Sequence, residues 1–477
     1  MTSRRSFLKS AGLAGLSALF IGCDGQERVS WIFGRSTPRR PAIGDWNGSP
    51  AQISAAHLLK RITYGPRPGD ITRVSEIGIT AFIEEQLAPD SISDEQAYWL
   101  TRRIETLQMK APDIFELPAQ RAITDLRRGM LLRALYSERQ LQEVMVEFWS
   151  DHFNIFADKE ECAWLKVIDD REVIRPHALG KFPQLLRASA TSPAMLVYLD
   201  GRVNQRGKPN ENYARELLEL HTLGINGGYH QEDVMELSRA LTGWQVKKHF
   251  WRGQVHFESN VHDNSIKTIL GHQLAAGNAD DLDKIIEIVS RHRSTAHFIS
   301  NKLCRRFVSD TPSQELIAHV AEVFHNSEGD IKETLRALLY SEEFLQSLPK
   351  LKRPYTYTIS ALRALGAISD GGPALQEHLC AMGQLPFGWP TPDGYPDGEQ
   401  HWQAQLLARW NFAIELANRR IDGTYIDLRE SSNTLTTLAP ALLQRELTQA
   451  ETETIYQAFD DNNMLALLLC LPDFQYH

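Results

Sequence analysis

Several signatures are missing from this chain of 477 residues. It contains no C-x-x-C, which excludes zinc ribbons and c-type haem attachment. It has no G-x-S-x-G, no H-E-x-x-H, no P-loop and no dinucleotide fingerprint after a strand, so no motif announces the common hydrolase, metalloprotease or nucleotide sites. Ser347-Leu348-Pro349-Lys350 spells S-x-x-K. That pattern arises by chance in a long chain, and Pro349 argues against a helical nucleophile. Positive charge is in the minority: 51 Lys and Arg against 60 Asp and Glu give a net charge of −9. Nucleic-acid binders carry a basic footprint, and this chain has none. Strand signals are sparse, no repeat period indicates a solenoid, and past the N-terminus no apolar run reaches bilayer-spanning length.

What is present begins at residue 1. Ser3-Arg4-Arg5-Ser6-Phe7-Leu8-Lys9 has two adjacent arginines followed by Phe-Leu-Lys. This resembles the twin-arginine signals read by the Tat translocase. The stretch Ala11–Gly22 is apolar, rich in Gly, Ala and Ser, and too short to cross roughly 30 Å of hydrocarbon. Charge, apolar stretch and small residues therefore occur in signal-peptide order. Phe20-Ile21-Gly22-Cys23 resembles a lipobox, with Phe20 in the place of the usual Leu. Cys23 would then be lipidated and become the new N-terminus, carrying enough acyl chains for stable anchoring. Asp24 follows, as in lipoproteins held at the inner membrane. Residues 23–50 are rich in Pro, Gly, Ser and Arg without periodicity and read as a tether. The expected location is the periplasmic side of a bacterial inner membrane. Cys162, Cys304, Cys380 and Cys470 are far apart. They are free to pair in an oxidising compartment, but cargo that folds in a reducing cytoplasm needs a fold independent of them.

Residues 51–477 read as one large, mainly α body. Apolar residues recur at three- and four-residue steps over 53–61, 71–87, 93–110, 122–135, 141–156, 209–223, 231–242, 279–291, 295–307, 314–326, 331–340, 355–365, 402–418 and 464–471. A small β-hairpin insertion is expected near 244–270, on the partial alternation of Val246, Phe250, Val255 and Phe257. The run F-G-W-P-T-P-D-G-Y-P-D over 387–397 forbids helix. It is expected to be an ordered loop, either pinned to the body or offering Trp389, Tyr395, Asp393 and Asp397 as a sugar-binding groove.

Several long motifs carry a resemblance. They are H-L-L-K-R-I-T-Y-G from His57, F-W-S-D-H-F from Phe148 and P-A-M-L-V-Y-L-D from Pro193. P-N-E-N-Y-A-R-E-L-L-E-L-H-T-L-G from Pro209, D-V-M-E-L-S-R-A-L-T-G-W from Asp233 and H-D-N-S-I-K-T-I-L-G from His262 follow. M-G-Q from Met382, P-T-P-D-G-Y-P-D from Pro390 and L-L-A-R-W-N-F-A from Leu406 complete the set. Together they resemble the bacterial domain-of-unknown-function family 1800, over about 57–418. The resemblance implies Tat export and a helical domain. It also implies a neighbouring gene for another exported protein, related to the alkaline phosphatase superfamily, which is a candidate partner. It supplies no reaction. Ser150 stands where His is common in the family, and Ser265 where Gly is common.

Candidate chemistry lies on the motif-bearing helices. At 100° per residue, Asn212, Arg215, Glu216 and Glu219 share one arc. Carboxylates one turn apart can share a metal or hold an Arg, and the alternative is a solvated face. His152 sits in an apolar arc of Val144, Met145, Phe148, Trp149, Ile155 and Phe156, and His221 lies beyond the apolar arc of its own helix. Each is either a satisfied core residue or part of a buried polar site between the two helices. His262-Asp263 is either a metal-ligand pair or a turn, with Lys267 close enough in sequence to add an anion contact. The expected acid–base set is His152, Asn212, Arg215, Glu216 and His221. The expected metal set is Glu216, Glu219, His262 and Asp263, for a divalent cofactor left open. Two functions remain: a hydrolytic or metal-dependent envelope enzyme, or a non-catalytic scaffold or maturation partner of another exported protein.

Overall fold

The computed structural model describes residues 48–427, 438–457 and 460–477. Arg4, Arg5 and Cys23 lie outside the described residues. The first described helix, Pro50–Ile62, begins as its sequence requires. Ser49 caps it by accepting from the Gln52 amide, and Pro50 occupies the first turn, where its missing N–H costs nothing. Most expected helices are present, with shifted ends. The run expected over 71–87 is two helices, Asp70–Ile77 and Ile79–Leu87, because Gly78 takes a positive φ between them. The helix expected to start at Trp402 starts at Leu406, after two 3-10 turns. Short buried helices such as Phe182–Ala190 and Pro193–Tyr198 were not anticipated.

The β content is small, as expected. The insertion near 244–270 holds two antiparallel hairpins: Trp244–Val246 with Val255–Phe257, and Lys267–Ile269 with His272–Leu274. A third two-strand pair joins Ile368–Ser369 to Thr424–Tyr425. The second hairpin turns on Leu270 and Gly271, both at positive φ, the geometry a two-residue turn needs. Phe250 was expected to alternate inward with Val246. It instead lies in a 3-10 turn between the first two strands and is 90% exposed.

One contiguous apolar core runs from Ala55 to Phe474, with Trp149 fully buried within it. Trp149 belongs to the helix Gln140–His152, and its indole N–H donates to the Ala178 carbonyl at 3.0 Å. Among the described residues no helix is long and apolar enough to cross a membrane.

Candidate functional site

Two helices widen into π geometry next to motif residues. The helix Cys162–Ile168 continues as a π-helix over Asp169–Ile174, and the helix Glu211–Glu216 continues as a π-helix over Leu217–Thr222. The wider turn is visible where the Leu223 amide reaches back five residues to the Leu218 carbonyl. Such segments are rare and are frequent at functional sites. This one changes the phase of the second motif helix. His221 is fully buried, with its ring centroid 5.0 Å from Phe153 and 6.1 Å from His152.

His152 is the centre of the arrangement. Its Nε2 lies 3.0 Å from the His221 carbonyl oxygen. A carbonyl only accepts, so Nε2 carries the proton and Nδ1 presents a lone pair. Lys302 Nζ donates to that lone pair at 3.1 Å. Burial, then the Lys302 charge, hold the His152 pKa well below the usual imidazole range, so the ring stays neutral. Burial, then Lys302, bring His221 down to about 3. Neither ring nitrogen of His221 has a hydrogen-bond partner among the described residues.

Lys302 is partly exposed, on the helix Arg293–Phe307. Burial lowers its pKa, while Asp397, Asp151 and Asp393 pull it back up. Those carboxylates come from the end of the His152 helix and from the loop 387–397. The loop is pinned rather than splayed. Asn154 donates to the carbonyls of Trp389 and Thr391 at 3.0 and 2.7 Å, and Tyr198 donates to that of Pro390 at 2.8 Å. Asp393 accepts from the Trp389 indole at 3.1 Å and from the Thr391 hydroxyl. Glu216 faces the same region. Burial, then Glu219, raise its carboxyl above the usual range, and Asp393 adds to the effect.

Next to this cluster lies a buried ionic network. Glu147 accepts from Arg306 at 2.8 Å, from Tyr64 at 3.1 Å and from Arg353. Arg353 also pairs with Asp151 at 2.8 Å and Asp397 at 3.7 Å. Burial raises the Asp151 carboxyl to about 6, against the pull of Arg353 and with the push of Glu147 and Asp397. A cavity of about 20 Å³, roomy enough for a single water, is lined by Glu147, Ser150, Asp151, Asn154, Tyr355 and Tyr395 among others. A second network joins Arg175 to Glu143 at 2.9 Å and to Asp170 at 2.8 Å on the other π-helix.

The expected site residues are only partly brought together. His152 and His221 meet, and Glu216 is linked to that cluster through the Asp393 charge, which acts on both Glu216 and Lys302. Asn212 turns away, donating to the Leu199 carbonyl at 3.3 Å and to Asp200 at 3.2 Å. Arg215 is engaged on its own helix, 3.2 Å from Glu211 and 3.6 Å from Glu219. The expected metal set does not converge. His262 is buried with Nδ1 2.8 Å from the Thr242 carbonyl oxygen, and its Nε2 lies 3.5 Å from Asp281. Asp263 pairs with Arg239 at 2.9 Å and accepts from the Ser265 amide at 3.0 Å. That pair therefore holds a turn, the structural alternative of its two readings. Lys267 is buried against Asp281 at 2.8 Å rather than open to an anion. Among the described residues, no group of three or more His, Cys, Asp or Glu side chains is placed to hold a metal ion. Ser347 accepts from Arg61 and donates to the Phe344 carbonyl, and Lys350 pairs with Asp310, so S-x-x-K forms no nucleophile–base pair. Cys162, Cys304, Cys380 and Cys470 are all free thiols.

Sequence reasoning missed Lys302, Asp151, Glu147, Arg306 and Arg353. Asp151 was legible in principle, since it lies beside His152 in the F-W-S-D-H-F motif. The three cations carry no local signal of their partners.

Comparisons add a family and no activity. No curated protein and no solved structure matches the chain. Residues 57–476 match the profile of a family described as protein of unknown function (DUF1800). The match runs past the expected limit near 418 and takes in the C-terminal helices. It covers most of the described body, and the chain belongs to the DUF1800 family.

Proposed function

We propose that this chain is a Tat-exported, lipid-anchored enzyme on the periplasmic side of the bacterial inner membrane, with hydrolytic acid–base chemistry directed at an envelope or polymeric substrate. The supporting observation is the cluster in which Lys302 donates to neutral His152 and feels the charge of Asp393, which also acts on Glu216. Groups whose environments displace their protonation in different ways are what acid–base catalysis needs. Glu216, with its raised carboxyl, is the proton donor. The Lys302 ammonium, held by the His152 lone pair, faces negative charge as it develops. Asp393, exposed at the loop, is the carboxylate that takes a proton from water. The anticipated metal ligands sit in two separate places, so the reading does not route the chemistry through a metal.

The mature full chain, purified without chelators, is incubated with peptidoglycan, envelope glycans and ester substrates, beside Glu216→Gln and Lys302→Met variants. Turnover on one class is expected, with losses of about 10²- to 10⁴-fold in the Glu216 variant. Turnover that survives both substitutions removes the site. A near-stoichiometric metal in the same preparations, lost with Glu216→Gln, overturns the metal-free route.

A second reading, a scaffold or maturation partner, has its own supporting observation. Leu406, Leu407, Trp410 and Ile414 form an exposed apolar stripe along the helix Leu406–Ala417, with Leu407 69% exposed. Stripes of this kind mark interaction faces. Its candidate partner is the co-exported alkaline-phosphatase-superfamily-like protein. Co-purification of that protein, abolished by Leu407→Glu with Trp410→Glu, would favour the scaffold over the enzyme.

A further inference from the structure

The first hairpin carries a feature that neither the core nor the Lys302–His152 cluster uses. Its strands are three residues each, and between them the chain reads K-K-H-F-W-R-G over 247–253. The turn His249–Trp251 holds Phe250 and Trp251 outward, 90% and 61% exposed. Phe250 is the most exposed large apolar side chain among the described residues. Lys247, Lys248 and Arg252 flank the two rings, and no acid occurs in the sequence until Glu258. In a chain of net charge −9 this is a local reversal of sign.

The presentation is fixed by the backbone. His249 has φ 59 and Gly253 has φ +76, two left-handed residues that close the tip. A Cβ on Gly253 would lie 2.8 Å from the Ala111 Cβ and 3.0 Å from Leu165 Cδ2. The glycine therefore lets the base of the tip seat on the helical body while the aromatics face away. The Arg252 guanidinium stacks over the Phe115 ring at 5.5 Å and lies 3.6 Å from exposed Glu116. The Lys247 ammonium lies 5.9 Å from the Trp251 ring centroid. Lys247 and Lys248 make no ion pair with the described residues.

Aromatics left this far in water, Phe250 above all, forgo most of the stabilisation that burial would give. Aromatics at a tip with cations around them match one environment closely. Rings of this size favour the water–bilayer interface, and Lys and Arg at the same depth meet anionic headgroups. A partner protein with an acidic rim would equally attract the lysines, but would bring a complementary apolar pocket for Phe250. The bilayer needs none, and Phe250 stands 90% exposed at the end of a two-stranded hairpin with three residues per strand. We propose that the tip of the hairpin 244–257 docks on anionic phospholipid bilayers, with Phe250 and Trp251 at the headgroup–acyl boundary and Lys247, Lys248 and Arg252 on lipid phosphates. This holds whatever chemistry the Lys302–His152 cluster performs and whether or not Cys23 is acylated.

The test reads the tip itself, because the N-terminal segment brings its own basic and apolar residues to a vesicle. The full chain carries Cys23→Ser, Cys380→Ser and Cys470→Ser, leaving only the buried Cys162 and Cys304. An environment-sensitive fluorophore is attached through Phe250→Cys, or through Ile225→Cys as a control at a site 72% exposed. Vesicles of phosphatidylglycerol with phosphatidylethanolamine should blue-shift and brighten the label at 250, and leave the label at 225 unchanged. Phosphatidylcholine vesicles should do neither. In the unlabelled chain, Lys247→Gln and Lys248→Gln should each weaken partitioning about fivefold, the factor for one cation near an anionic surface. Circular dichroism of every variant should match the parent, since each changed tip residue faces solvent. A label at 250 that does not respond to the anionic vesicles overturns the proposal. So does an equal response on phosphatidylcholine. A response that follows protein concentration without vesicles would put a second copy of the chain on the tip, and also overturns it.

Discussion

Asp151 and His221 lie within one cluster of side chains and make folding depend on pH in opposite directions. Burial raises the Asp151 carboxyl to about 6, whereas an unfolded Asp titrates near about 4. The folded state therefore holds more protons between those values, so this group's stabilisation is complete below about 4 and is lost as pH rises through about 6. His221 behaves the other way. Burial depresses it to about 3, and an unfolded His titrates near about 6.5. Its contribution is present above about 6.5 and is lost as pH falls toward about 3. Denaturant melts of Asp151→Asn and His221→Leu from pH 3 to 7 separate the two. Relative to the parent, Asp151→Asn should gain on the order of 2 kcal/mol between pH 4 and 7. His221→Leu should gain several kcal/mol between pH 6.5 and 3. Parallel curves for the parent and either variant would show that the buried group does not titrate as its surroundings require.

The loop 387–397 shows how an irregular element is fixed by contacts at single atoms. Gly394 has φ +76, and a Cβ there would lie 2.1 Å from the Asp151 carbonyl oxygen. Gly394→Ala combines a left-handed penalty with a backbone collision. It should cost about 2–4 kcal/mol and release the loop, exposing new proteolytic cleavage between 387 and 397. A variant as stable and as resistant as the parent would mean that the loop does not need this approach. Composition announced the loop's rigidity, since Pro and Gly forbade helix while aromatics gave it something to bury. The apolar steps of Gln140–His152 likewise announced an inward His152. The π-helix Leu217–Thr222 was not legible, because the 3.6-residue period used to read a helix is the very property that changes there. That change of phase falls after Glu216, so it leaves Asn212, Arg215 and Glu216 on one regular helix and re-aims only the residues from Leu217 onward, His221 among them. Lys302, Arg305 and Arg306 were read past for another reason. Cations at i, i+3 and i+4 have the ordinary pattern of a solvated face, and the partners that bury Arg306 come from Glu147, 159 residues away in sequence.

At the scale of the molecule, charge and attachment oppose one another. A chain of net −9 is repelled by an anionic membrane surface, and attachment needs devices that overcome that repulsion locally. Two are proposed: acylation at Cys23, ahead of a stretch whose composition reads as a tether, and the basic aromatic tip at 247–252. They differ in strength. Two or more acyl chains anchor stably, whereas a few interfacial side chains bind reversibly. Fractionation of cells expressing each variant should therefore rank them. The parent should sit in the inner-membrane fraction. Phe250→Ser with Trp251→Ser should stay there, because the acyl chains suffice. Cys23→Ala should move most of the protein to the soluble periplasmic fraction and leave a salt-sensitive remainder on membranes, since tip cations on headgroups are screened by salt. Combining the Cys23 and tip substitutions should remove that remainder. Arg4→Lys with Arg5→Lys should keep the chain in the cytoplasm in every background, because on the proposed route export precedes both attachments. If Cys23→Ala fractionates like the parent, the lipid anchor is wrong. If the salt-sensitive remainder persists without Phe250 and Trp251, the second attachment lies elsewhere on the molecule.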